Sequence, residues 1–163
     1  MLVWLDMLTP KQLLFLSEVG RRLEARGYDV FRTTRQYREV DGLLKIKDIN
    51  ALVVGKYGGA TLEGKLASSA RRVEELAHIM SRLQPGLSIA FASPDAARTA
   101  FGLSIPHYTA NDSPHSEVVA KLTVPLAHKL FYPAVIPRQV WLKLGARPDQ
   151  LVPYNGLDPI AWL

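Results

Sequence analysis

The residues with the greatest chemical capacity stand together in one short segment, residues 111–117, which reads NDSPHSE. A histidine beside carboxylates can give and take protons near neutral pH. Asp112, His115 and Glu117 are therefore predicted to be the general acid–base groups of a catalytic site. Asn111, which opens the segment, is predicted to bind substrate.

The same segment also has the composition of a helix start, which is the structural alternative. Asp112 or Ser113 can cap the helix, Pro114 fits its first turn, and an acidic residue follows there. Capping does not explain why a histidine stands at position 115. Because no second histidine lies three or four residues from His115, we predict no metal site.

Paired glycines follow a predicted strand in the segment GKYGG, residues 55–59. Glycine lets the backbone approach a ligand closely, and the N-terminus of a following helix favours anions. Lys56, Gly58 and Gly59 are therefore predicted to bind an anionic or hydroxylated ligand. The alternative is a loop that requires glycine only for its backbone geometry.

The next residues match the glycine and lysine spacing of a phosphate-binding P-loop, G-x-x-x-x-G-K. Leu66 stands where a P-loop has Ser or Thr to hold magnesium. Leu62 and Leu66 belong to the apolar face of a long predicted helix, so Gly64 and Lys65 are predicted to lie inside that helix. No G-x-G-x-x-G follows the first strand, which disfavours a conventional dinucleotide site.

Short apolar runs alternate along the whole chain with segments whose apolar residues recur at helical spacing. The strands and helices that this pattern predicts must position the polar segments. The runs predict strands over residues 2–6, 28–33, 51–54, 87–92, 105–109, 129–132 and 151–154. The stripes predict helices over residues 9–27, 37–44, 61–83, 93–102 and 137–144, with another starting near residue 114. This alternation indicates a Rossmann-like α/β fold, a three-layer sandwich with a mostly parallel sheet. Residues 1–163 are predicted to form one such domain.

Polar residues follow several of the predicted strands, at the edge where parallel sheets bind their ligands. Those predicted to bind substrate there, besides the residues above, are Asp6, Thr9, Lys11, Arg35 and Ser93. Away from this edge, the helical pairs Arg21–Arg22 and Arg71–Arg72 are predicted to be solvated. His78 and His128 are predicted to be structural.

The composition limits the classes of function. The chain has 163 residues with 20 Lys and Arg against 15 Asp and Glu, and its pI of about 9.6 favours anionic partners. Specific nucleic-acid binding is not expected, because no basic strand with interleaved aromatic residues and no recognition helix is present. No apolar stretch has the roughly 20 residues of a membrane span. The lack of cysteine predicts a reducing cytoplasm, and the few amide residues favour a thermophilic source.

Five segments, which follow one another along essentially the whole chain, carry a resemblance to a known family. They are D-x-x-T-P-K at residues 6–11, GKYGG at 55–59, ASPDAARTAFGLSIP at 92–106, NDSPHSE at 111–117 and PYNGLDPIAWL at 153–163. On these segments the sequence resembles an uncharacterised, largely archaeal family related to GT-B glycosyltransferases and UDP-N-acetylglucosamine 2-epimerases.

That resemblance implies an enzyme with two Rossmann-like domains and a substrate cleft between them. The second domain would hold most of a nucleotide-sugar donor, and this chain resembles the first, acceptor-side domain. A UDP-sugar would then be a substrate, and no separate cofactor is implied. The epimerases carry a His- and Glu-bearing motif in a loop comparable to that of His115 and Glu117. Relatives often carry His-Gly where this chain has Ala92-Ser93, which weakens a catalytic role for that loop.

We therefore expect the acceptor-side domain of a nucleotide-sugar-dependent, glycosyltransferase-like or epimerase-like enzyme that is inactive alone. A second Rossmann-like half, encoded separately as in a split two-chain enzyme, could complete it, and a homodimer is another arrangement. The alternatives are a non-catalytic binding or interaction module that retains the fold, and association with anionic membranes through the basic surface.

Overall fold

All strands of the protein join one parallel sheet in the computed structural model, which describes residues 1–162. The strands are β1 (Leu2–Met7), β2 (Asp29–Gln36), β3 (Leu52–Lys56), β4 (Leu87–Phe91), β5 (His107–Ala110), β6 (Lys129–Pro133) and β7 (Leu151–Tyr154). Their order across the sheet is β3-β2-β1-β4-β5-β6-β7, and every neighbouring pair is parallel. The predicted Rossmann-like α/β fold is confirmed. Strands β2 and β3 are added on one side of β1 and strands β4 to β7 on the other, so the strand order changes direction between β1 and β4.

Six α-helices connect the strands. They are α1 (Pro10–Glu24), α2 (Arg38–Ile46), α3 (Leu62–Leu83), α4 (Pro94–Gly102), α5 (Glu117–Thr123) and α6 (Arg138–Lys143). A short 3-10 helix, Asp158–Ala161, follows β7. None of the helices in residues 1–162 combines the length and apolarity needed to cross a membrane.

Side-chain caps start three of these helices where the sequence predicts them. The Oγ1 of Thr9 accepts a hydrogen bond from the Gln12 amide at the start of α1. The hydroxyl oxygens of Thr61 and Ser93 accept from backbone amides in the same way at the starts of α3 and α4. Each cap satisfies an amide that has no partner inside the helix, so these boundaries are fixed locally.

The helices form two layers, one on each face of the sheet. Helices α1 and α2 pack against one face, where Met7, Leu13 and Leu16 belong to the core. Helices α3 and α4 pack against the other face, around Trp4 and Leu76. This division follows from the right-handed crossovers of parallel strands. The connections through α1 and α2 run from β1 toward β3, whereas the connection through α4 runs the other way, so the two sets lie on opposite faces of the sheet.

The apolar face predicted for α3 is buried only in the second half of the helix. Leu76 and Met80 are buried, whereas Leu62 is 84% and Leu66 is 73% exposed. The first turns of α3 follow the edge strand β3 and pack against the loop after that strand, while Leu62 and Leu66 face away from the core. The prediction of one continuous core-facing stripe is therefore wrong for this end of the helix.

The α1 face of the sheet is open over β5 and β6. Because α5 and α6 lie on the opposite face, no helix of residues 1–162 covers Tyr108 and Phe131 on this side. The result is an apolar groove of about 300 Å³, which Phe15 of α1 and Ile160 of the final 3-10 helix border.

Candidate functional site

A cavity of about 540 Å³ lies at the carboxyl edge of the sheet, at the ends of β1 to β5. This is the edge where open parallel sheets bind ligands, and the volume is within the range of small-molecule sites. The predicted site residues that line it are Thr9, Lys11, Arg35, Lys56, Gly58, Asn111 and Asp112. Residues from four separate loops and strand ends therefore meet in one place.

The floor of the cavity is a buried ionic network centred on Asp6 and Arg72. The Nη2 of Arg72 donates to Oδ1 of Asp6 at 2.6 Å, and its Nη1 donates to Oδ2 of Asp6 at 3.1 Å and to Asp95 at 3.2 Å. Asp6 also accepts from the hydroxyls of Thr33 and Ser93, at 2.6 and 2.7 Å. The predicted ligand-binding residues Asp6 and Ser93 thus lie beneath the cavity wall, with these polar atoms bonded inside the protein.

The pKa shifts of this network keep its members ionised. Burial by itself raises the pKa of Asp6, but the charge and hydrogen bonds of Arg72 outweigh burial and hold that pKa below its usual value. Burial likewise favours the neutral form of Arg72, and the two carboxylates reverse this and raise its pKa. The network is therefore a charged structural support for the cavity.

The prediction that the Arg71–Arg72 pair is solvated is wrong for Arg72. Arg71 is exposed, whereas Arg72 is buried between β1 and α4. Successive helical residues point about 100° apart, so one of two neighbouring arginines can face the core. The sequence did carry a signal, because Asp6 in a buried strand requires a cationic partner.

Lys11 and two carboxylates form a second cluster, in which Lys11 and Asp112 line the cavity and Asp158 lies outside its lining. The Nζ of Lys11 contacts Asp112 and lies 2.9 Å from Oδ2 of Asp158. It also lies 4.4 Å from the centre of the Phe91 ring. The Tyr154 hydroxyl donates to Asp158. The cluster therefore joins the loops that follow β1, β5 and β7.

The two carboxylates of this cluster have opposite pKa shifts. Burial raises the pKa of Asp112, but hydrogen bonds, chiefly from Lys11, outweigh it and lower that pKa. Burial is the main cause that raises the pKa of Asp158, and the adjacent Asp112 carboxylate adds to it. Two neighbouring carboxyl groups with separated pKa values are suited to act as proton acceptor and proton donor.

Asp158 was not among the residues predicted for the site. It follows the last strand, at the same sheet edge as the other loops, and its side chain is almost fully buried. The position of Asp158 after an apolar run was the available signal, since the carboxyl ends of all parallel strands meet at one edge.

Asn111 presents an amide donor to the cavity. Its Oδ1 accepts a hydrogen bond from the Ser113 backbone amide at 2.8 Å, and its Nδ2 is buried without a hydrogen-bond partner in residues 1–162. A buried donor without a partner is costly, and a ligand oxygen would satisfy it. The Ser113 hydroxyl donates to Asp112 at 2.8 Å and orients that carboxylate.

His115 and Glu117 do not line the cavity. Both are exposed, and Glu117 forms an ion pair of 2.6 Å with Lys121 on the surface of α5, which lowers the pKa of Glu117. The structure therefore brings Asp112 to the cavity without the other two members of the predicted catalytic set.

The helix predicted near Pro114 begins three residues later, at Glu117. The Ser116 amide donates to the carbonyl of Ser113, and Asn111 closes a tight turn just before it. These local hydrogen bonds occupy residues 111–116 and compete with helix formation. Asp112 therefore does not act as a helix cap.

The glycine pair has a mainly geometric explanation. A Cβ at Gly58 would lie 2.5 Å from the carbonyl oxygen of Gly64, so the loop can pack on α3 only without a side chain there. Gly59 has φ of +80°, a conformation that favours glycine, and it does not line the cavity. Gly64 and Lys65 lie within α3, as predicted, and so form no P-loop.

Arg35 lies in the cavity wall beside a pair of aromatic rings whose centres are 5.3 Å apart. Its guanidinium carbon is 5.2 Å from the centre of the Tyr57 ring and 5.8 Å from that of Tyr37. Its Nε is buried without a hydrogen-bond partner in residues 1–162. Burial is the main cause that lowers the pKa of Arg35.

The remaining histidines lie away from the cavity. His78 and His128 are both exposed, and the Nδ1 of His128 accepts a hydrogen bond from the His107 amide at 3.1 Å. His107 itself is buried in β5, where its Nδ1 is 3.0 Å from the Ser88 hydroxyl.

The chain is similar to one curated protein and to several solved structures. It is 30% identical to the uncharacterized protein MJ0665 of the archaeon Methanocaldococcus jannaschii over 159 residues, which cover 98% of this chain and 46% of that protein. Its fold matches the M. jannaschii UDP-GlcNAc 2-epimerase in complex with UDP-GlcNAc and UDP, with a TM-score of 0.78, 17% identity, and coverage of 94% of this chain and 46% of the epimerase. It also matches MurG of Acinetobacter baumannii, with a TM-score of 0.67, 13% identity, and coverage of 95% and 45%.

The chain thus spans about half the length of these relatives, and its fold is that of half of an epimerase or glycosyltransferase structure of this kind. The predicted resemblance is confirmed at the level of family and fold. The family described as "Protein of unknown function (DUF354)" matches residues 1–163, and the chain belongs to that family.

Proposed function

We propose that this chain is the acceptor-side domain of a nucleotide-sugar-dependent enzyme, either a glycosyltransferase or an epimerase. The observation that carries the proposal is the contact of Lys11 with Asp112 and Asp158 at a cavity on the carboxyl edge of the sheet. Such a cluster can bind a polar ligand and move a proton. The match of this fold to half of an epimerase bound to UDP-GlcNAc and UDP supports the same proposal.

In this proposal Asp112 is the proton acceptor and Lys11 positions it. In glycosyl transfer, Asp112 would take the proton of an acceptor hydroxyl while that oxygen attacks the anomeric carbon of the donor and the nucleoside diphosphate leaves. In epimerisation, the same carboxylate would take the proton of the sugar carbon that is inverted, and the electron pair left on that carbon would take up a proton from the opposite face. Asp158, whose pKa is raised, is buried outside the cavity lining, so it acts on the ligand only through its contact with Lys11.

His115 and Glu117 remain proposed members of the catalytic set. Both are exposed beside the cavity, so their participation requires the 113–117 turn to move toward the ligand. Turnover by the complete enzyme, with a second domain present, shows which of Asp112, His115 and Glu117 the reaction requires. Loss of turnover in Asp112→Asn but not in His115→Ala or Glu117→Gln would remove these two residues from the proposal.

Ligand binding by the 163-residue chain tests the proposed site directly. Calorimetric titration with UDP-GlcNAc, UDP and N-acetylglucosamine should give saturable binding of at least one of them. Lys11→Met and Asp112→Asn should weaken that binding, because both side chains line the cavity. Asp149→Asn is the matched control, since Asp149 is an exposed carboxylate of the 3-10 helix before β7. Equal affinity in all three variants would contradict the proposed site.

A second function, that of an interaction subunit, is favoured by the open apolar groove over β5 and β6. The half-buried rings of Tyr108, Phe131 and Phe15 line the groove, and parallel sheets normally have both faces covered. A second half of a split enzyme, or another copy of this chain, would bury it. Analytical ultracentrifugation of the chain, alone and with the product of any adjacent reading frame for a Rossmann-like half, tests this function. A monomer that binds no such partner would contradict it.

The composition supports two further proposals, one about the cellular compartment of the protein and one about its source. Without cysteine the chain needs no oxidising compartment, so we place it in the cytoplasm. Few amide residues are consistent with a thermophilic source, because Asn and Gln degrade at high temperature. Thermal denaturation of the purified chain checks the second point, and a midpoint in the ordinary mesophilic range of about 45–65 °C would contradict it.

A further inference from the structure

The geometry points to a separate anion subsite in this cavity, formed by Arg35, Lys56 and Lys65, for a phosphoryl or carboxylate group carried by the sugar ligand. The inference rests on the proposed function and adds the chemical class of the substrate. The three side chains belong to β2, β3 and α3, and all three line the cavity.

Arg35 is the best-defined member of this subsite. The rings of Tyr37 and Tyr57 hold the guanidinium in the wall, at 5.8 and 5.2 Å. Its Nε is buried and makes no hydrogen bond in residues 1–162. The guanidinium lines the cavity and forms no ion pair in residues 1–162, so its Nη groups rather than the buried Nε match the oxygens of a phosphate or carboxylate.

The carboxylates around the cavity do not neutralise the cationic wall. Asp95 is bonded to Arg72 and Ser69, and Asp112 is in contact with Lys11. Within residues 1–162, neither Arg35, Lys56 nor Lys65 forms an ion pair. The charges of Asp95 and Asp6 act on Arg35 through space without forming an ion pair with it. Three cations outside ion pairs favour an anionic group in this part of the cavity.

Backbone packing brings together the two segments that carry Lys56 and Lys65, whose side chains are both exposed. A Cβ at Gly58 would lie 2.7 Å from the Cα of Lys65, so the loop after β3 packs directly on the first turn of α3. The Ser68 hydroxyl donates to the carbonyl of Lys56 and ties the end of β3 to the same helix. The N-terminus of this 22-residue helix adds its own positive partial charge.

The subsite and the Lys11 cluster belong to one cavity, which is large enough for one sugar-sized ligand to contact both. A ligand held this way would place a hydroxyl against Asp112 and an anionic substituent against Arg35. A neutral sugar would leave the cationic wall without a partner. The substrate class that follows is a sugar phosphate or a sugar acid.

The test is calorimetric titration of the full chain with N-acetylglucosamine, N-acetylglucosamine 6-phosphate, glucuronate and inorganic phosphate. At least one anionic sugar should bind about tenfold or more tightly than both the neutral sugar and inorganic phosphate, as expected for one charge-assisted contact. Arg35→Gln should abolish this preference, and Arg35→Lys should retain part of it. Arg71→Gln, which removes an exposed arginine of α3, should change nothing. A thermal midpoint for each variant verifies that it is folded.

Two results would overturn the inference while the proposed function stands. One is equal affinity for neutral and anionic sugars with binding that depends on Asp112. The other is an anionic preference that Arg35→Gln leaves intact. Inorganic phosphate that binds as tightly as the anionic sugars would also overturn it, because the subsite would then recognise a free anion. No binding of any sugar or sugar nucleotide would contradict the proposed function as well.

Discussion

Arg72 and Asp6 form a bidentate ion pair with both side chains removed from solvent: two guanidinium nitrogens meet the two carboxylate oxygens at 2.6 and 3.1 Å. Arg72 is 1% exposed and Asp6 is 0% exposed. The pair joins α3 to β1, and the contact of Arg72 with Asp95 adds α4. The cavity floor therefore depends on charges whose burial is tolerated only because each has a partner.

Replacement of this arginine should strongly destabilise the fold. Arg72→Met keeps much of the side-chain volume but leaves the Asp6 and Asp95 carboxylates buried without a cation. We expect a loss of about 3–5 kcal/mol in the free energy of unfolding, measured by urea denaturation. Arg71→Met, at the adjacent exposed position, should change it by less than about 0.5 kcal/mol. Similar losses in both variants would refute the structural role of Arg72.

Stability should fall as the pH decreases from 6.5 to 4, because of His107. Burial is the main cause that lowers the pKa of His107 to about 4, with a smaller opposing effect from Asp6 and a supporting one from His128. In this interval the unfolded chain binds a proton that the folded chain cannot, so unfolding becomes easier. The loss is on the order of 3 kcal/mol by pH 4.

Urea denaturation at a series of pH values measures this effect. His107→Gln should reduce the slope of stability against pH in that interval, since glutamine does not titrate. His78→Gln, which removes an exposed histidine, should retain the slope of the unmodified chain. An unchanged slope in His107→Gln would show that other groups cause the pH dependence.

Loss of Lys11 should change the titration of its partner. In the unmodified chain the hydrogen bonds to Asp112, chiefly that of Lys11, outweigh burial and lower the pKa of this carboxyl. In Lys11→Met the effect of burial remains, so the pKa of Asp112 should rise. Carbon-13 NMR of the aspartate side chains measures it. Lys121→Met, which breaks an exposed pair on α5, should leave Asp112 unchanged, and an unshifted Asp112 in Lys11→Met would disprove the contact.

A methyl group at Gly58 should disturb the cavity wall. In Gly58→Ala the new Cβ meets the backbone of Gly64 at 2.5 Å, so the loop must move away from α3. We expect a loss of about 1–3 kcal/mol in stability, as for overpacked sites. Gly42→Ala in α2 is the control, because no atom lies within 4 Å of its Cβ, and a gain of about 0.5–1 kcal/mol is expected there. Thermal denaturation of both variants distinguishes these outcomes.

Much of the fold could be predicted from local sequence patterns. Thr9, Thr61 and Ser93 cap helices where the sequence places them, and the apolar runs became the strands of a parallel sheet. These features depend on hydrogen bonds and periodicities within a few residues, which the sequence displays directly. The loops at strand ends could likewise be assigned to one edge, because parallel strands share a direction.

The sequence by itself determined the fold class, the starts of three helices and the edge of the sheet where the cavity lies. Only the tertiary structure decided which polar residues meet there. It turned Arg72 inward and Arg71 outward, brought Asp158 to Lys11 although they stand 147 positions apart in the chain, and left His115 and Glu117 on the surface. The physical reason is that caps and strand patterns arise from neighbours in the chain, whereas ion pairs and burial arise from contacts between distant segments, which no local spacing encodes.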